Sequence, residues 1–203
     1  MIIAVDGPAA SGKGTIARAL AAHFGLPHLD TGLLYRAVGV ATTRAGGDPD
    51  LENDAVAACG FDDALLADPA LRSEVAGGLA SRVSVHPAVR TALLKRQRDF
   101  AGQPGGAVLD GRDIGTVIAP NADAKLYVTA SAEVRARRRQ LDDYARDYLA
   151  ILAEILARDE RDSRRADAPM RRAEDADLLD TSDLTIGAAI QRAIALVEAR
   201  IRP

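Results

Sequence analysis

The feature that most constrains the fold is an apolar segment, residues 2–6, that runs directly into a glycine-rich turn and then into a helical pattern. The turn, GPAASGKGT, matches GxxxxGK, with Gly7 at its start and Gly12 and Lys13 at its end. Glycines let successive backbone N–H groups approach one anion, and the N-terminus of the following helix adds positive potential. A strand, a phosphate-binding loop and a helix are therefore predicted here, rather than an ordinary turn.

The loop supplies candidate ligands for a nucleoside triphosphate. Lys13 offers a compact positive charge and is one of only three lysines in a chain with 23 arginines. Position 14, where the pattern usually has a Ser or Thr that reaches Mg²⁺, is Gly14, and the hydroxyl group moves to Thr15. We therefore expect phosphates and water to hold the metal near Thr15 and Asp110, with no direct protein ligand. The predicted ATP-binding residues are Gly7, Pro8, Ala9, Ala10, Ser11, Gly12, Lys13, Gly14 and Thr15.

Composition narrows the class of protein. A length of 203 residues suits one α/β domain, and a hydrophobic fraction of 48% indicates a globular core. The formal net charge of −3 gives no overall attraction to nucleic acid or to an anionic membrane. Cys59 is the single cysteine, which excludes disulfides within the chain and is typical of a reducing compartment. Because no apolar run approaches the ~18 residues of a membrane span, we expect a cytoplasmic protein with no membrane partner.

Short apolar runs alternate with longer helical patterns, which is typical of a parallel sheet with helices on its faces. The predicted strands are residues 2–6, 28–30, 107–110, 125–129 and 177–180. The predicted helices are residues 13–24, 33–45, 87–101, 131–140, 144–165 and 185–201. In the last helix, helical spacing of apolar residues predicts a core stripe made of Ile186, Ile190, Ile194, Val197 and Ile201.

Two segments are longer than the connections that such a sheet needs. We expect a single domain, residues 1–203, with a core of residues 1–30, 102–130 and 166–203 and two excursions at 31–101 and 131–165. Residues 131–172 hold eleven arginines against nine carboxylates. A nucleic-acid-binding arm is disfavoured there, because the charge is nearly balanced and stacking aromatic residues are scarce.

Three further polar motifs follow predicted strands, where ligands bind in open α/β sheets. They are LDTGLLYR at 29–36, LDGRDIGT at 109–116 and RDERDSRR at 158–165. With GPAASGKGT and HPAVRTALLKRQR, they resemble in sequence and order the motifs of bacterial cytidylate kinases, a family of the nucleoside monophosphate kinase group. The match spans most of the chain, and DGRD followed by GT, together with RDxxD, is far more specific than GKGT.

The resemblance implies a P-loop NTPase fold, in which a five-stranded parallel sheet has helices on both faces, an NMP-binding region at 31–101 and a lid at 131–165. It also implies an ATP-dependent phosphotransferase of pyrimidine nucleotide metabolism. Such an enzyme moves the γ-phosphoryl group of ATP to CMP, and also to dCMP, with Mg²⁺ as the cofactor. Its partners are then these small molecules, and nothing in the chain requires a dimer, so we expect a monomer.

Phosphate-binding roles follow from the resemblance position by position. Arg36, Arg112 and Arg165 would grip the acceptor phosphate, a role that suits the planar guanidinium fork. Arg158 and Arg161 resemble lid arginines that stabilise charge in the transition state. Their spacing with Arg165 predicts one helix face that presents three guanidinium groups, and solvated helix charges are the alternative. For the three phosphate-gripping arginines the alternative is a set of surface ion pairs. With Lys13, the implied catalytic residues are Arg112, Arg158, Arg161 and Arg165.

Nucleoside-binding roles follow in the same way. Ser81, Arg90 and Asp113 resemble cytosine-reading residues, and a carboxylate accepts the N4 amino hydrogens of cytosine but repels O4 of uracil. Thr31, where the family more often has serine, and Asp162 resemble the ribose contacts. The implied CMP-binding residues are Thr31, Arg36, Ser81, Arg90, Arg112, Asp113, Asp162 and Arg165.

Several residues and segments stay open at this stage. Asp110 could steady Lys13 or a metal-bound water, or cap the next turn. His23, His28 and His86 have no carboxylate or cysteine partner at a metal-ligand spacing and are expected to be structural or exposed. Compared with many bacterial members, residues 51–80 are shorter and lack alternating strands, and the lid turn at 142–146 is short.

Rival functions remain. The same chemistry could act on UMP or AMP. A nucleotide-dependent switch or binding module is disfavoured, because no NKxD guanine-reading motif occurs and a switch has little use for an arginine-lined anion pocket.

Overall fold

The structure is a computed structural model that describes residues 1–142, 144 and 146–201. Its strands are β1 (Ile2–Asp6), β2 (His28–Asp30), β3 (Ala107–Gly111), β4 (Ala124–Thr129) and β5 (Asp177–Asp180). They form one parallel sheet in the order β2-β3-β1-β4-β5. All five predicted strands are confirmed, and no boundary differs by more than one residue. Parallel strands need crossover connections, which the intervening helices provide.

The α-helices are α1 (Lys13–Phe24), α2 (Thr31–Arg44), α3 (Glu52–Ala57), α4 (Glu74–Val83), α5 (Pro87–Ala101), α6 (Ala132–Asp142), α7 (Tyr148–Arg164) and α8 (Ile186–Ile201). The six predicted helices are confirmed, with shifts at their ends. Two helices, α3 and α4, were not predicted, and they lie where the sequence shows neither a long apolar stripe nor strand alternation. In the lid turn expected at 142–146, residues 143 and 145 lie outside the described residues.

The chain divides into two compact units, Met1–Leu29 with Phe100–Pro203, and Asp30–Asp99. In the first unit, the core joins the sheet to α1 and α8 through Val5, Leu126, Leu20 and Val197, which are almost fully buried. Burying this apolar surface is the main force that holds the sheet and its covering helices together. A smaller cluster, centred on Ile151 and Ile155, packs α7 against α6.

The core stripe predicted for α8 is wrong at one end. Ala189, Ala193 and Val197 form the buried face, and Ile190, Ile194 and Ile201 pack partly against it. Ile186 is 72% exposed, because it stands in the first turn of the helix, beyond the edge of the sheet's core.

The second unit is helical within its described residues. Asp30 caps the N-terminus of α2, since its side chain accepts a hydrogen bond from the backbone N–H of Leu33 at 3.2 Å. Helix α2 packs against α4, and three short 3₁₀ segments lie between α3 and α4.

Candidate active site

The glycine-rich loop has the backbone that its sequence predicts. Gly7 lies so close to β4 that a Cβ atom there would stand 1.9 Å from the carbonyl oxygen of Val128, so only glycine fits. Gly12 precedes α1 with φ of 88°, a left-handed conformation that favours glycine. Its carbonyl oxygen accepts hydrogen bonds from the backbone N–H groups of Thr15 and Ile16, both at 3.1 Å. Helix α1 therefore begins directly at the loop, as a phosphate cradle requires.

Side chains in the loop carry donors suited to phosphate. Lys13 Nζ donates a hydrogen bond to the carbonyl oxygen of Pro8 at 3.4 Å, so its amino group lies against the glycine-rich loop. Ser11 is 1% exposed, and its Oγ atom has no hydrogen-bond partner in the described part of the chain. Thr15 is exposed, and its hydroxyl group accepts a hydrogen bond from Arg18 at 3.3 Å. Charge, backbone amides and hydroxyl groups are thus gathered within one turn.

Arg135, in α6, binds the backbone of the glycine-rich loop. The sequence analysis did not predict a role for this residue. Its guanidinium group donates to the carbonyl oxygens of Ala130 at 2.9 Å and of Ala9 at 3.2 Å. It also pairs with both carboxylate oxygens of Asp159 in α7, at 3.2 and 2.6 Å. Asp159 falls inside the RDERDSRR motif, but only the fold reveals that its partner lies 24 residues away.

Thr181, just after β5, holds the other side of the loop. Its Oγ1 atom lies 3.1 Å from the carbonyl oxygen of Ser11 and 3.0 Å from that of Thr129. Arg138, in α6, donates to the hydroxyl and carbonyl oxygens of Thr181 at 3.0 and 2.5 Å. Thr181 was not predicted either, although its place at the carboxyl end of a parallel strand is a signal that could have found it.

A cavity of about 560 Å³ opens beside the loop. Its walls come from the loop and α1, from α6, and from the segment that leads from β5 into α8. The residues that line it include Ser11, Gly12, Thr15, Arg138, Thr181 and Leu184. The volume lies within the range of small-molecule ligand sites, and the sequence motifs did not predict the part of the wall that lies beyond the loop.

Asp6 joins the glycine-rich loop to the DGRDIGT motif. Its two carboxylate oxygens accept hydrogen bonds from the backbone N–H groups of Ile114 and Gly115, both at 2.8 Å. Asp6 is 4% exposed, and burial raises its pKa to about 7, although the two backbone hydrogen bonds and the charge of Lys13 oppose that rise. The nearby charge of Asp113 raises the pKa further. The carboxyl group therefore fixes the start of the segment that follows Asp113.

Arg112 and Asp162, predicted to bind the acceptor, form a buried ion pair. Arg112 Nε donates to Asp162 Oδ2 at 2.8 Å, and the side chains are 15% and 5% exposed. Burial would raise the pKa of Asp162, but the charges of Arg112, Arg158 and Arg165 and the hydrogen bond from Arg112 hold that pKa below its usual value. One carboxylate thus lies within the field of three arginines from two predicted motifs.

The predicted arginine face of α7 differs in the structure. Helix α7 ends at Arg164, and Arg165 follows it with φ of −54° and ψ of 134°, outside helical geometry. Arg165 is buried, Arg158 is half-buried and Arg161 is exposed. Arg165 therefore does not belong to the helical face predicted for the three arginines, because the helix ends at Arg164. Arg158 and Arg165 nevertheless both act on the charge of Asp162.

Four of the predicted acceptor-binding residues lie in the Asp30–Asp99 unit, and Arg36 and Arg90 contact other residues of that unit. Arg36 donates to the carbonyl oxygens of Leu71 at 2.8 Å and Ser73 at 3.3 Å. The guanidinium group of Arg90, which is 6% exposed, lies 5.9 Å from the centre of the Tyr35 ring. Thr31 and Ser81, the first in α2 and the second in α4, are both buried.

His28 has a partner that its sequence neighbours did not indicate. Its Nε2 atom lies 2.7 Å from Oδ1 of Asp110 in β3, and the two side chains are 17% and 5% exposed. His23 lies near Glu198, at 3.4 Å, and His86 contacts the carbonyl oxygen of Pro49 at 2.9 Å. In the described residues, no group of three or more His, Cys, Asp or Glu side chains is arranged to hold a metal ion.

The sheet order, the glycine-rich loop after β1 and the polar motifs at strand ends define the P-loop NTPase fold, in the form that kinases use. Solved structures support this fold. An uncharacterized protein from Eubacterium ventriosum ATCC 27560 matches 98% of this chain and 99% of its own, with a TM-score of 0.60 at 14% identity. A sugar kinase from Janibacter sp. HTCC2649 matches 100% and 98%, with a TM-score of 0.53 at 15% identity.

Sequence relatives identify the family. The cytidylate kinase family model matches residues 3–199. A curated cytidylate kinase from Xanthobacter autotrophicus is 58% identical, over 98% of this chain and 98% of that protein. Another, from Nitrobacter winogradskyi, is 55% identical over 100% and 98% of the two chains. This chain belongs to the cytidylate kinase family, which confirms the expected family. Across the described residues, no helix has the length and apolar character needed to cross a bilayer.

Proposed function

We propose that this protein is an ATP-dependent kinase that transfers the γ-phosphoryl group of ATP to CMP, and to dCMP, and releases ADP with the nucleoside diphosphate. The observation that carries the proposal is its 55–58% identity with curated cytidylate kinases over nearly the full length of both chains. The glycine-rich loop and the buried arginines agree with a reaction between two polyanions.

For the donor, the loop from Gly7 to Thr15 is the proposed phosphate site and the neighbouring cavity of about 560 Å³ the proposed nucleoside site. Backbone N–H groups, the positive end of α1 and Lys13 would neutralise the phosphates. Arg138 and Thr181 would line the base end, since both belong to the cavity wall. The base and phosphates of one nucleotide would therefore occupy adjoining regions.

Mg²⁺ is the proposed cofactor, and the donor set suits it. The hydroxyl group of Thr15 and the carboxylate of Asp110 are oxygen donors, which this hard cation prefers. Asp110 Oδ2 lies 3.7 Å from the point where a side chain at Gly14 would begin, so the carboxylate stands beside the first turn of α1. Thr15 and Asp110 would hold the ion or its water ligands, and the chemistry it would supply is neutralisation of the negative charge on the phosphates.

For the acceptor, we assign Arg36, Arg112 and Arg165 to the phosphate of CMP. Arg36 would exchange its two backbone carbonyl acceptors for phosphate oxygens. Arg112 binds Asp162 through Nε, so its planar fork is already oriented by a buried partner. Such preorganisation reduces the side-chain entropy that phosphate binding would otherwise cost.

The nucleoside of CMP is assigned to two further groups of residues. Ser81, Arg90 and Asp113 would read cytosine, and Thr31 and Asp162 would contact ribose. The low exposure of Ser81, Arg90 and Asp113 supports this assignment, because buried polar groups discriminate strongly between ligands that do and do not satisfy them. Arg158 and Arg161 are assigned to the transferring phosphoryl group, and closure of residues 131–165 as a lid would exclude water.

The proposal is tested by an ADP-release assay with Mg·ATP and CMP, dCMP, UMP, AMP or GMP in separate reactions. We expect the highest kcat/KM for CMP and dCMP, and ATP hydrolysis without acceptor that is far slower than transfer. Equal or higher efficiency with UMP or AMP would reject the assigned acceptor. Tight ATP or GTP binding without transfer to any monophosphate would instead indicate a nucleotide-dependent switch.

A further inference from the structure

The contact between His28 and Asp110 connects two neighbouring strands at one edge of the sheet. His28 is the first residue of β2, the edge strand, and Asp110 lies near the carboxyl end of β3. The 2.7 Å separation between His28 Nε2 and Asp110 Oδ1 is that of a strong hydrogen bond. The imidazole tautomer with its proton on Nε2 lets His28 donate this hydrogen bond to the carboxylate oxygen, and we assign that tautomer from the contact.

The two oxygens of Asp110 face different neighbours. Oδ1 is bound by His28, whereas Oδ2 lies 3.7 Å from the point where a Cβ atom on Gly14 would be. Position 14 is the place where the general P-loop pattern has a hydroxyl side chain that reaches Mg²⁺. In this chain a glycine stands there instead, and two side-chain groups lie beside the point where its Cβ atom would be: Arg18 Nη1 at 3.6 Å and the carboxylate oxygen Oδ2 of Asp110, from β3, at 3.7 Å.

The orientation of that oxygen depends on one soft torsion. The terminal torsion of an aspartate side chain is broad and roughly two-fold, so the backbone of β3 alone does not decide which way the carboxylate plane turns. A short hydrogen bond to one oxygen selects one orientation and so directs the other oxygen. Groups that hold a metal or its water ligands depend on such supporting hydrogen bonds.

We infer that His28 is a positioning residue for the donor-site metal: its Nε2–H group holds Asp110 so that Oδ2 faces the first turn of α1, where Mg·ATP would bind. The inference rests on one part of the proposed function, namely that the donor nucleotide binds together with Mg²⁺. His28 itself would touch neither metal nor substrate. Its effect passes through the orientation of Asp110.

The test is calorimetric binding of ADP, with Mg²⁺ and with EDTA, to the intact wild-type protein and to His28→Leu. We expect His28→Leu to weaken binding of Mg·ADP by about tenfold and to leave the binding of metal-free ADP unchanged. Tenfold is about the lower end of the effect of removing a hydrogen-bond partner from a metal ligand. His28→Gln keeps an N–H donor at similar reach, so we expect it to restore most of the affinity. The matched control is His23→Leu, because His23 is 42% exposed and pairs only loosely with Glu198.

Other outcomes would overturn the inference. Unchanged Mg·ADP affinity in His28→Leu would do so, and equal weakening of ADP with and without metal would show that the residue acts only on structure. A third readout needs no ligand: ¹⁵N resonances of the three imidazole rings in the metal-free protein, assigned with the His23 and His86 variants. A proton on Nδ1 rather than Nε2 of His28 would contradict the hydrogen bond. None of these measurements uses CMP, so failure of the acceptor assignment would be seen separately.

Discussion

Arg135 and Asp159 form a two-point ion pair beside the phosphate-binding loop, with Nη1–Oδ1 and Nη2–Oδ2 distances of 3.2 and 2.6 Å. The same guanidinium group binds the carbonyl oxygen of Ala9 within the loop. The loop, α6 and α7 therefore share one buried cation. A movement of α7 would shift Asp159 and, through Arg135, the backbone of the loop. The ion pair therefore connects the predicted lid with the donor site.

Removing this cation should strongly destabilise the protein. Arg135 is 6% exposed on its side chain, and Arg135→Ala would leave the carboxylate of Asp159 without its partner. Breaking a fully buried pair costs about 3–5 kcal/mol, and we expect the free energy of unfolding to fall by up to that amount, because the carboxylate left behind is 22% exposed and partly hydrated. The measurement is urea titration followed by circular dichroism. The free energy of unfolding of Arg135→Lys should lie between those of wild type and Arg135→Ala, because lysine keeps the positive charge but lacks the planar guanidinium fork.

The control for this prediction is an exposed pair within α7, the helix that carries Asp159. Arg164 and Glu160 are 80% and 58% exposed, so Arg164→Ala should change stability by less than about 0.5 kcal/mol. Equal effects of Arg135→Ala and Arg164→Ala would show that the buried pair does not support the fold.

Lys13 should be required for transfer and dispensable for folding. Its Nζ atom donates to the carbonyl oxygen of Pro8 within its own loop, so Lys13→Ala should unfold at nearly the wild-type temperature. We expect kcat to fall by roughly 10²- to 10³-fold, as for loss of one group that stabilises transition-state charge. Lys95→Ala is the control, since Lys95 is 84% exposed and pairs with Asp99. Near-normal turnover of Lys13→Ala would exclude the loop as the donor site.

Asp113 should set the preference for CMP over UMP. It is 6% exposed, and its carboxylate could accept from the cytosine amino group but would repel O4 of uracil. We expect Asp113→Ala to reduce the ratio of kcat/KM values for CMP and UMP by roughly 10- to 100-fold, with a smaller change in the KM for ATP. Asp63→Ala, at an exposed pair with Arg96, provides the control. A parallel loss with both acceptors would contradict a base-reading role.

Asp6 should make stability depend on pH between about 4 and 7. Its folded pKa of about 7 lies above the ordinary value of 3.8, so the folded state holds the proton more tightly. The stability that this proton provides is fully present below about pH 4 and is lost as the pH rises through about 7. The shift corresponds to about 4 kcal/mol if it is fully expressed.

The measurement is the free energy of unfolding of wild type and Asp6→Asn at several pH values. Because the amide side chain of the variant does not titrate, the advantage of wild type over the variant should decrease by up to about 4 kcal/mol from about pH 4 to about pH 7.5. Asp113 and Lys13, the charged groups that act on Asp6, shift its pKa in opposite directions. A constant difference across this range would refute the raised pKa.

Local sequence was enough for the glycine-rich loop and the strands. Gly12 has a left-handed backbone conformation that depends mostly on adjacent residues. Gly7 is required by the approach of Val128 in β4, but it belongs to the same nine-residue motif, so the motif predicts the loop. The strands are short apolar runs with clear ends. Sequence failed for α4, whose residues Gly77 and Gly78 weaken the helical pattern, and for Ile186, because spacing reveals a face but not where the core ends.

Support of the site by distant residues could not be predicted. Arg135 reaches Ala9 over 126 positions, Thr181 reaches Ser11 over 170 and His28 reaches Asp110 over 82. Each contact exists only because the fold brings segments that are distant in sequence close together. The motifs supplied the residue types for the acceptor, whereas the partners that orient Arg112 and Arg36 emerge from the fold.

The hydroxyl group of Thr181 lies against the carbonyl oxygen of Thr129, and it also contacts two groups with different tasks: the carbonyl oxygen of Ser11 in the phosphate loop and Arg138 in the wall of the adjoining cavity. A purine too bulky for that wall would push on Arg138, and the displacement would reach the triphosphate through Thr181, which Arg138 binds at both its hydroxyl and its carbonyl oxygen. A poorly fitting donor nucleotide would then have misaligned phosphoryl groups. It would lower kcat as well as the binding affinity.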